Sequence, residues 1–263
     1  MTSGELGPSD PPWPDPLFII GSPRSGTTYL TEVLNHHPDI FLTNETRIMT
    51  WVNRALNVVP SDPWILHLHR DRFLEHLAHD LPASIRSFYL SIGAPPHARW
   101  GDKHPHYADG TKDPQCLETI DRLFPTSQFI NIVRNGFDVV ASIVNRNWVG
   151  LSEAINVWTR HVVHATEFGN AIGADRVTHV RYEELVREGT GTVDDLMRFL
   201  NLSPSPAVVD FLEQQTQERT PFSKPTLDLD SAGGSLVGQG LDDESRQLVF
   251  SRAGSLLADW GYI

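Results

Sequence analysis

Between positions 21 and 28 the chain reads Gly21-Ser22-Pro23-Arg24-Ser25-Gly26-Thr27-Thr28, a run of residue types suited to holding an anion. Gly26 lets the backbone turn its amides toward a phosphate, and a helix starting there adds partial positive charge at its N-terminus. Ser25, Thr27 and Thr28 add hydroxyl donors, and Arg24 puts a permanent cation inside the loop. Gly21 and Gly26 bracket four residues, as in the nucleoside-triphosphate loop G-x-x-x-x-G-K-[ST]. The lysine of that pattern is missing, and Thr27 stands in its place. A triphosphate site also relies on Mg²⁺ held in part by an acid near a neighbouring strand. Here the apolar run Phe129-Ile130-Asn131-Ile132-Val133 ends in Arg134. A cation at that strand end suits a metal-free site for a nucleotide carrying an extra phosphate.

Such a loop has physical meaning only between a strand and a helix. Leu17-Phe18-Ile19-Ile20 is a continuous apolar run, the pattern of a strand buried on both faces of a parallel sheet. After the loop, Leu30, Val33 and Leu34 recur at helical spacing over 28–37, and Pro38 ends the helix. The region 51–91 reads as mostly helical, with Ser61-Asp62-Pro63 as a turn and cap. A further strand is expected at 98–101, followed by Asp102-Lys103-His104-Pro105. Helix at 116–123, strand at 128–133 and a helix bearing Val139, Val140, Ile143 and Val144 come next. A long helix over 152–168, a strand over 175–182, a helix bearing Val193, Leu196, Met197 and Leu200, and a C-terminal helix near 243–260 complete the pattern. Alternating strands and helices predict an α/β fold, a P-loop-like parallel sheet flanked by helices on both faces. Residues 1–16, rich in Pro, Ser, Gly and Asp, are expected to be a disordered N-terminal arm, and 17–263 a single domain. The glycine-rich stretch 228–240 reads either as a lid or as a plain connector.

Composition narrows the function further. The chain has 263 residues, 40% of them hydrophobic and 21% charged, the proportions of a globular domain. Its net charge of −12 argues against a nucleic-acid binder, which needs a basic face. An acidic protein that holds a polyanion must gather its few cations at the site, so the position of each Arg and Lys carries information. The single cysteine, Cys116, excludes an internal disulfide and sits in an apolar helical pattern, where packing is its expected role. No stretch approaches the length of a membrane span, and a cytoplasmic location is expected. The pairs His67/His69 and His104/His106 lack a third ligand at a recognisable spacing, so they read as loop histidines rather than a metal site. His104 or His106 remains a candidate general base. Trp158 and His161 read as core and helix-face residues.

Three motifs resemble those of PAPS-dependent sulfotransferases, PAPS being 3′-phosphoadenosine 5′-phosphosulfate. Pro23-Arg24-Ser25-Gly26-Thr27-Thr28 resembles the family's 5′-phosphosulfate loop. Val133-Arg134-Asn135-Gly136-Phe137-Asp138-Val139-Val140-Ala141-Ser142 resembles its 3′-phosphate motif, which implies that Arg134 and Ser142 hold the 3′-phosphate. Arg181-Tyr182-Glu183-Glu184-Leu185 resembles a third landmark and implies Tyr182 beside the adenine. Within the superfamily, His37-Pro38-Asp39 and Asn44-Glu45-Thr46-Arg47 are similar to tyrosylprotein sulfotransferases and their bacterial relatives. This resemblance implies Glu45 as the base that takes the acceptor's proton, Arg47 as an acceptor-site cation and Lys103 as the residue steadying the transferring sulfonate. Glu218-Arg219-Thr220 and Lys224-Pro225 match a late segment more loosely, which implies a hydroxyl from Thr220 and a cofactor contact from Lys224.

Two departures bear on the acceptor. Tyrosylprotein enzymes of the secretory pathway carry a membrane anchor and disulfides, and neither is read in this chain. Where they place a second acceptor-binding arginine, this chain has Thr50-Trp51. The expected acceptor is therefore a hydroxyl of a small molecule, a glycan or a lipid. The competing readings are a P-loop small-molecule kinase or NTPase, and a nucleotide-binding module without catalysis. The missing lysine and acid count against the former, and Glu45 with Lys103 counts against the latter.

Overall fold

The computed structural model describes residues 13–58, 70–218 and 240–263. The apolar run Leu17–Ile20 forms β1, and all four of its residues are buried. Leu17 and Ile19 pack on one face and Phe18 and Ile20 on the other, the side-chain alternation of a strand covered on both sides. Helix α1 (Thr27–Asn35) leads to β2 (Ile40–Asn44), and a short α2 (Ile48–Asn53) runs into a π-helical turn at Arg54–Val58. Then come α3 (Arg70–Ser91), β3 (Arg99–Lys103), a 3₁₀ turn (Pro105–Ala108) and α4 (Cys116–Leu123). Strand β4 (Gln128–Val133) is followed by α5 (Gly136–Val144), the long α6 (Leu151–Ile172) and β5 (Val177–Arg181). Helices α7 (Tyr182–Arg187), α8 (Gly189–Leu200), α9 (Pro206–Glu218) and α10 (Asp243–Asp259) complete the described chain.

The sheet has the order β2-β3-β1-β4-β5 and every pairing is parallel. Chain direction reverses at the centre: β1 leads by α1 out to β2, whereas its neighbour β4 leads by α5 and α6 out to β5 on the other side. Open α/β sheets bind ligands beyond the carboxyl ends of the strands at such a switch point. Leu30, Val33 and Leu34 of α1 share one core with Val193, Leu196 and Leu200 of α8. The opposite face is covered by α4 and part of α6, with Trp100 and Phe129 at its centre.

Several expectations shift at their edges. The strand expected at 98–101 runs on to Lys103, which makes that lysine a strand-end residue. Strand β2 and helix α9 were not foreseen. The disordered arm is too long as drawn. Trp100 Nε1 donates to the Pro14 carbonyl at 3.1 Å, Arg99 Nε to that of Asp15 at 3.0 Å, and the Gln128 amide to that of Pro16 at 3.0 Å. The approach to β1 is thus tied to the sheet, and residues 1–12 lie outside the described ones. So do His67, His69, Thr220, Lys224 and, Gly240 apart, the candidate lid at 228–240. Cys116 is fully buried, and burial pushes its thiol pKa well up, in keeping with a packing role.

Candidate active site

The carboxyl edge of the sheet gathers most of the motif residues. The loop follows β1, Lys103 ends β3, Glu45 follows β2, Arg134 follows β4 and Tyr182 follows β5. Parallel pairing sets Asn44 opposite Lys103 and Ile19 opposite Lys103, so the loop and Glu45 flank the lysine. A polar row therefore runs across the edge, with Glu45 and Lys103 at one end and Arg134 and Tyr182 at the other.

In the loop, the Ser25 amide donates to the Ser22 carbonyl at 3.1 Å, and Gly26 caps α1 in a left-handed conformation at φ 93°. A Cβ on Gly26 would lie 2.3 Å from Cδ2 of Tyr182, so the glycine lets the tyrosine ring rest on the backbone. The Arg134 guanidinium lies over the same ring at 4.8 Å from the centroid. Gly26→Ala is accordingly expected to displace Tyr182, adding to the strain of a left-handed alanine. A titration with 3′,5′-ADP followed by thermal shift should show binding weakened by at least about tenfold, the loss of one ordinary contact of ~1.4 kcal/mol.

Cations converge on the same loop. Arg24 Nε donates to Ser142 Oγ at 3.0 Å, and Arg134 Nη1 reaches the Arg24 carbonyl at 3.4 Å. Arg24 has φ 73°, a left-handed conformation that a non-glycine residue holds only when its surroundings enforce it. Burial lowers its pKa, and the positive charges of Arg146 and Arg134 lower it further. Trp148 lies under Arg24 at 5.7 Å and under Arg146 at 5.9 Å. An anion would relieve the mutual repulsion of these arginines. Arg134 itself is anchored from below: Trp158 is fully buried and its Nε1 donates to the Arg134 carbonyl at 3.0 Å.

At the other end of the row, Lys103 Nζ donates to Glu45 Oε1 at 2.7 Å. Lys103 is 1% exposed and Glu45 48%, so a buried ammonium points its carboxylate partner at solvent. Burial alone would raise the Glu45 pKa, but the hydrogen bond and charge of Lys103 outweigh it and hold the carboxyl below its usual value. The turn that carries Glu45 is strained, with φ 60° at Glu45 and 61° at Arg47. Asp102 holds it in place. Its carboxylate accepts from Thr46 Oγ1 at 2.9 Å, Thr43 Oγ1 at 2.8 Å and Tyr107 Oη at 2.6 Å. Burial pushes the Asp102 carboxyl above its usual value, against the pull of these donors.

His104 is buried next to this pair. Its Nδ1 accepts from the His106 amide at 3.0 Å, which leaves the proton of the neutral ring on Nε2. Burial lowers its pKa to about 4. A neutral ring whose free nitrogen carries the proton donates a hydrogen bond but cannot take a proton there. A cavity of about 280 Å³ opens beside it, lined by Arg47, Trp51, Arg54, His104 and Lys112 among others. A larger one of about 640 Å³ lies among Pro14, Arg99, Gln128 and Leu202 at the amino edge of the sheet, away from every motif residue. The smaller cavity is the one that adjoins the chemistry.

With the geometry in view, comparison with known proteins is informative. The sequence model described as "Sulfotransferase family" matches residues 16–206. The chain belongs to the sulfotransferase family. It is 28% identical over 204 residues to the protein-tyrosine sulfotransferase of Drosophila melanogaster, across 73% of this chain and 39% of that protein. Over 206 residues it is 28% identical to protein-tyrosine sulfotransferase 2 of Gallus gallus, across 73% of this chain and 53% of that one. The chain thus spans about half the length, or less, of these two relatives.

Solved sulfotransferases share its architecture. The sulfotransferase domain from the curacin biosynthetic pathway superposes with a TM-score of 0.53 at 23% identity, covering 74% of this chain and 76% of that one. A sulfotransferase from Mycobacterium avium gives 0.55 at 17% identity over 96% and 78% of the two chains. A mouse sulfotransferase complexed with PAP gives 0.54 at 14% identity over 94% and 88%. At such identities the likeness is one of fold, and the fold is that of sulfotransferases. In this family member, sequence reasoning missed Arg146, Trp148 and Asp102. Arg146 lies in the turn just past the end of α5, four residues after Ser142, where helical spacing gives no signal. Nothing in the local sequence marks Asp102 as the organiser of the Glu45 turn.

Proposed function

We propose that the chain transfers the sulfuryl group of PAPS to a hydroxyl of a small-molecule, glycan or lipid acceptor, with Glu45 as general base. The observation that carries this reading is the polar row along the carboxyl edge of the sheet. Anion-binding groups at its β1–β4 end stand beside a paired carboxylate and buried lysine at its β2–β3 end.

The residues present fit a phosphorylated nucleotide. Ser25 Oγ and Arg134 Nε are buried donors without a hydrogen-bond partner among the described residues. The loop amides, Ser25, Thr27 and Thr28 would hold the 5′-phosphate, Arg134 and Ser142 the 3′-phosphate, and Tyr182 the adenine. Arg146 belongs with the 3′-phosphate group by its place beside Arg24. Lys224 would add a contact from the segment outside the described residues. When bound, PAPS supplies the sulfuryl group together with a phosphate leaving group.

The rest is the work of this chain's side chains. Sulfuryl transfer is an in-line displacement, so positioning and charge stabilisation dominate. Arg24 and Lys103 would neutralise the negative charge that builds on the leaving oxygen, and Lys103 engages Glu45 through Oε1. Glu45 would take the acceptor's proton as the hydroxyl attacks. Arg47 and the cavity beside it would receive the acceptor.

Thermal-shift titration tests the nucleotide, and labelled PAPS tests the reaction. Stabilisation by 3′,5′-ADP in the absence of Mg²⁺ is the expected result, growing with ligand concentration as RT ln(1 + [L]/Kd). Stabilisation by Mg-ATP alone would instead point to phosphoryl transfer. Labelled PAPS offered with phenols, glycans and glycolipids should then yield a sulfated product from at least one class. Tight 3′,5′-ADP binding with no transfer to any of them would leave a binding module.

A further inference from the structure

We propose that His106, Asp109 and His161 form a binding site for one divalent first-row transition-metal ion of the zinc type, next to the sulfuryl-transfer residues but separate from them. Ligand atoms from the three side chains lie within 4.8 Å of one another. His106 belongs to the 3₁₀ turn, Asp109 follows it directly and His161 lies on α6. His161 is 0% exposed and Asp109 1%.

Each residue presents one atom with no hydrogen-bond partner among the described residues: His106 Nδ1, Asp109 Oδ2 and His161 Nε2, all buried. His106 Nδ1 and Asp109 Oδ2 are 3.6 Å apart, too far for a hydrogen bond. Buried polar atoms are nearly always satisfied, so three converging exceptions need an occupant. The remaining atoms of the cluster are already engaged in ways that aim the free ones. His161 Nδ1 lies 2.7 Å from the Val157 carbonyl, which fixes the ring proton there and leaves a lone pair on Nε2. Asp109 Oδ1 accepts from Thr111 Oγ1 at 2.7 Å and from the Thr111 amide at 3.2 Å, leaving Oδ2 to the cluster. Outer hydrogen bonds of this kind orient the ligands of protein metal sites.

The donor set decides the class of ion. Two imidazole nitrogens and one carboxylate oxygen suit Zn²⁺ and its neighbours, whereas Ca²⁺ and Mg²⁺ prefer oxygen throughout. Arg160 is the nearby cation. Its Nε is 3.7 Å from Asp109 Oδ1, the oxygen turned away from the cluster, and its Nη1 is paired with Glu153 at 3.1 Å. Part-exposed His106 lines the cavity beside Arg47, which gives an ion a way in. Once bound, the ion would pin the turn that follows Lys103-His104 to helix α6, and so steady the lysine.

The test uses the untagged full chain, stripped with a chelator and titrated separately with Zn²⁺ and with Co²⁺. One equivalent of metal per chain, a raised Tm and visible absorption from the Co²⁺ form are expected. In His106→Ala and Asp109→Ala, affinity should fall more than about 100-fold, beyond the loss typical of an outer-shell change. Stabilisation by 3′,5′-ADP serves as the check that each variant is folded. His106 is part-exposed, so its variant keeps the test valid should Asp109→Ala fail to fold. Absence of stoichiometric binding, or binding that survives His106→Ala, overturns the proposal. Neither outcome bears on the sulfuryl-transfer reading, whose residues lie outside the cluster.

Discussion

Glu45→Gln is expected to lower turnover about 10²–10⁴-fold, the usual contribution of a positioned general base. That range corresponds to roughly 3–5 kcal/mol of barrier. The substitution keeps the size and the hydrogen-bonding oxygen that can face Lys103, but the amide cannot take a proton. Glu45 sits at the β2–β3 end of the row, Arg134 and Tyr182 at the β4–β5 end, and the loop follows β1 between them. Stabilisation by 3′,5′-ADP should therefore stay at the level of the unaltered protein. Rates measured with labelled PAPS, alongside a 3′,5′-ADP thermal titration, separate the two. Full activity in this variant would remove Glu45 from the mechanism and return attention to the histidines of the neighbouring turn.

Lys103→Met should act on both the size of the rate and its pH dependence. Removing one donor that stabilises developing negative charge typically costs about 10²–10³-fold in turnover. The second effect has a definite sign. In the intact protein the Glu45 carboxyl is held below its usual pKa by Lys103, against the upward push of burial. The base works only when ionised, so activity is lost as pH falls through that lowered pKa. With methionine at 103 burial is opposed only by the smaller pull of His104 and His106, the Glu45 pKa rises, and the acid limb of the rate profile moves to higher pH. A profile that falls in amplitude without moving would mean that Lys103 serves the sulfonate but does not control the carboxylate. Methionine is the better replacement because Lys103 is almost fully buried, and a shorter side chain would leave a cavity as well.

These two residues also mark where reading the sequence reached its limit. Lys103 was identified only by its likeness to a family lysine, and the strand that carries it was expected to stop at 101. The strand that leads to Glu45 was not foreseen, because Ile40-Phe41-Leu42-Thr43-Asn44 is short and becomes polar toward its end. That strand lies at the edge of the sheet, paired only with β3, and its burial pattern alternates where that of β1 is continuous. A weakly apolar edge strand gives little one-dimensional signal, since much of its stability comes from the neighbour that it pairs with. The parallel register that sets Asn44 beside Lys103 exists only once the sheet has formed.

The loop belongs to the other category. Its glycines, hydroxyls and arginine, the buried strand before it and the helix after it are all local features, and local features are what residue order encodes most directly. Sequence by itself therefore determined a parallel α/β fold with an anion-holding loop after its first strand, and the missing lysine with Arg134 led to the expectation of a nucleotide with an extra phosphate. Tertiary structure decided which distant groups meet. It joined Arg24 to Ser142 and Glu45 to Lys103, and it brought His161 of α6 up to His106 and Asp109. A helix-face histidine and a loop histidine came together with Asp109 in one cluster, because helix packing, not proximity along the chain, brings His161 to the turn that carries the other two.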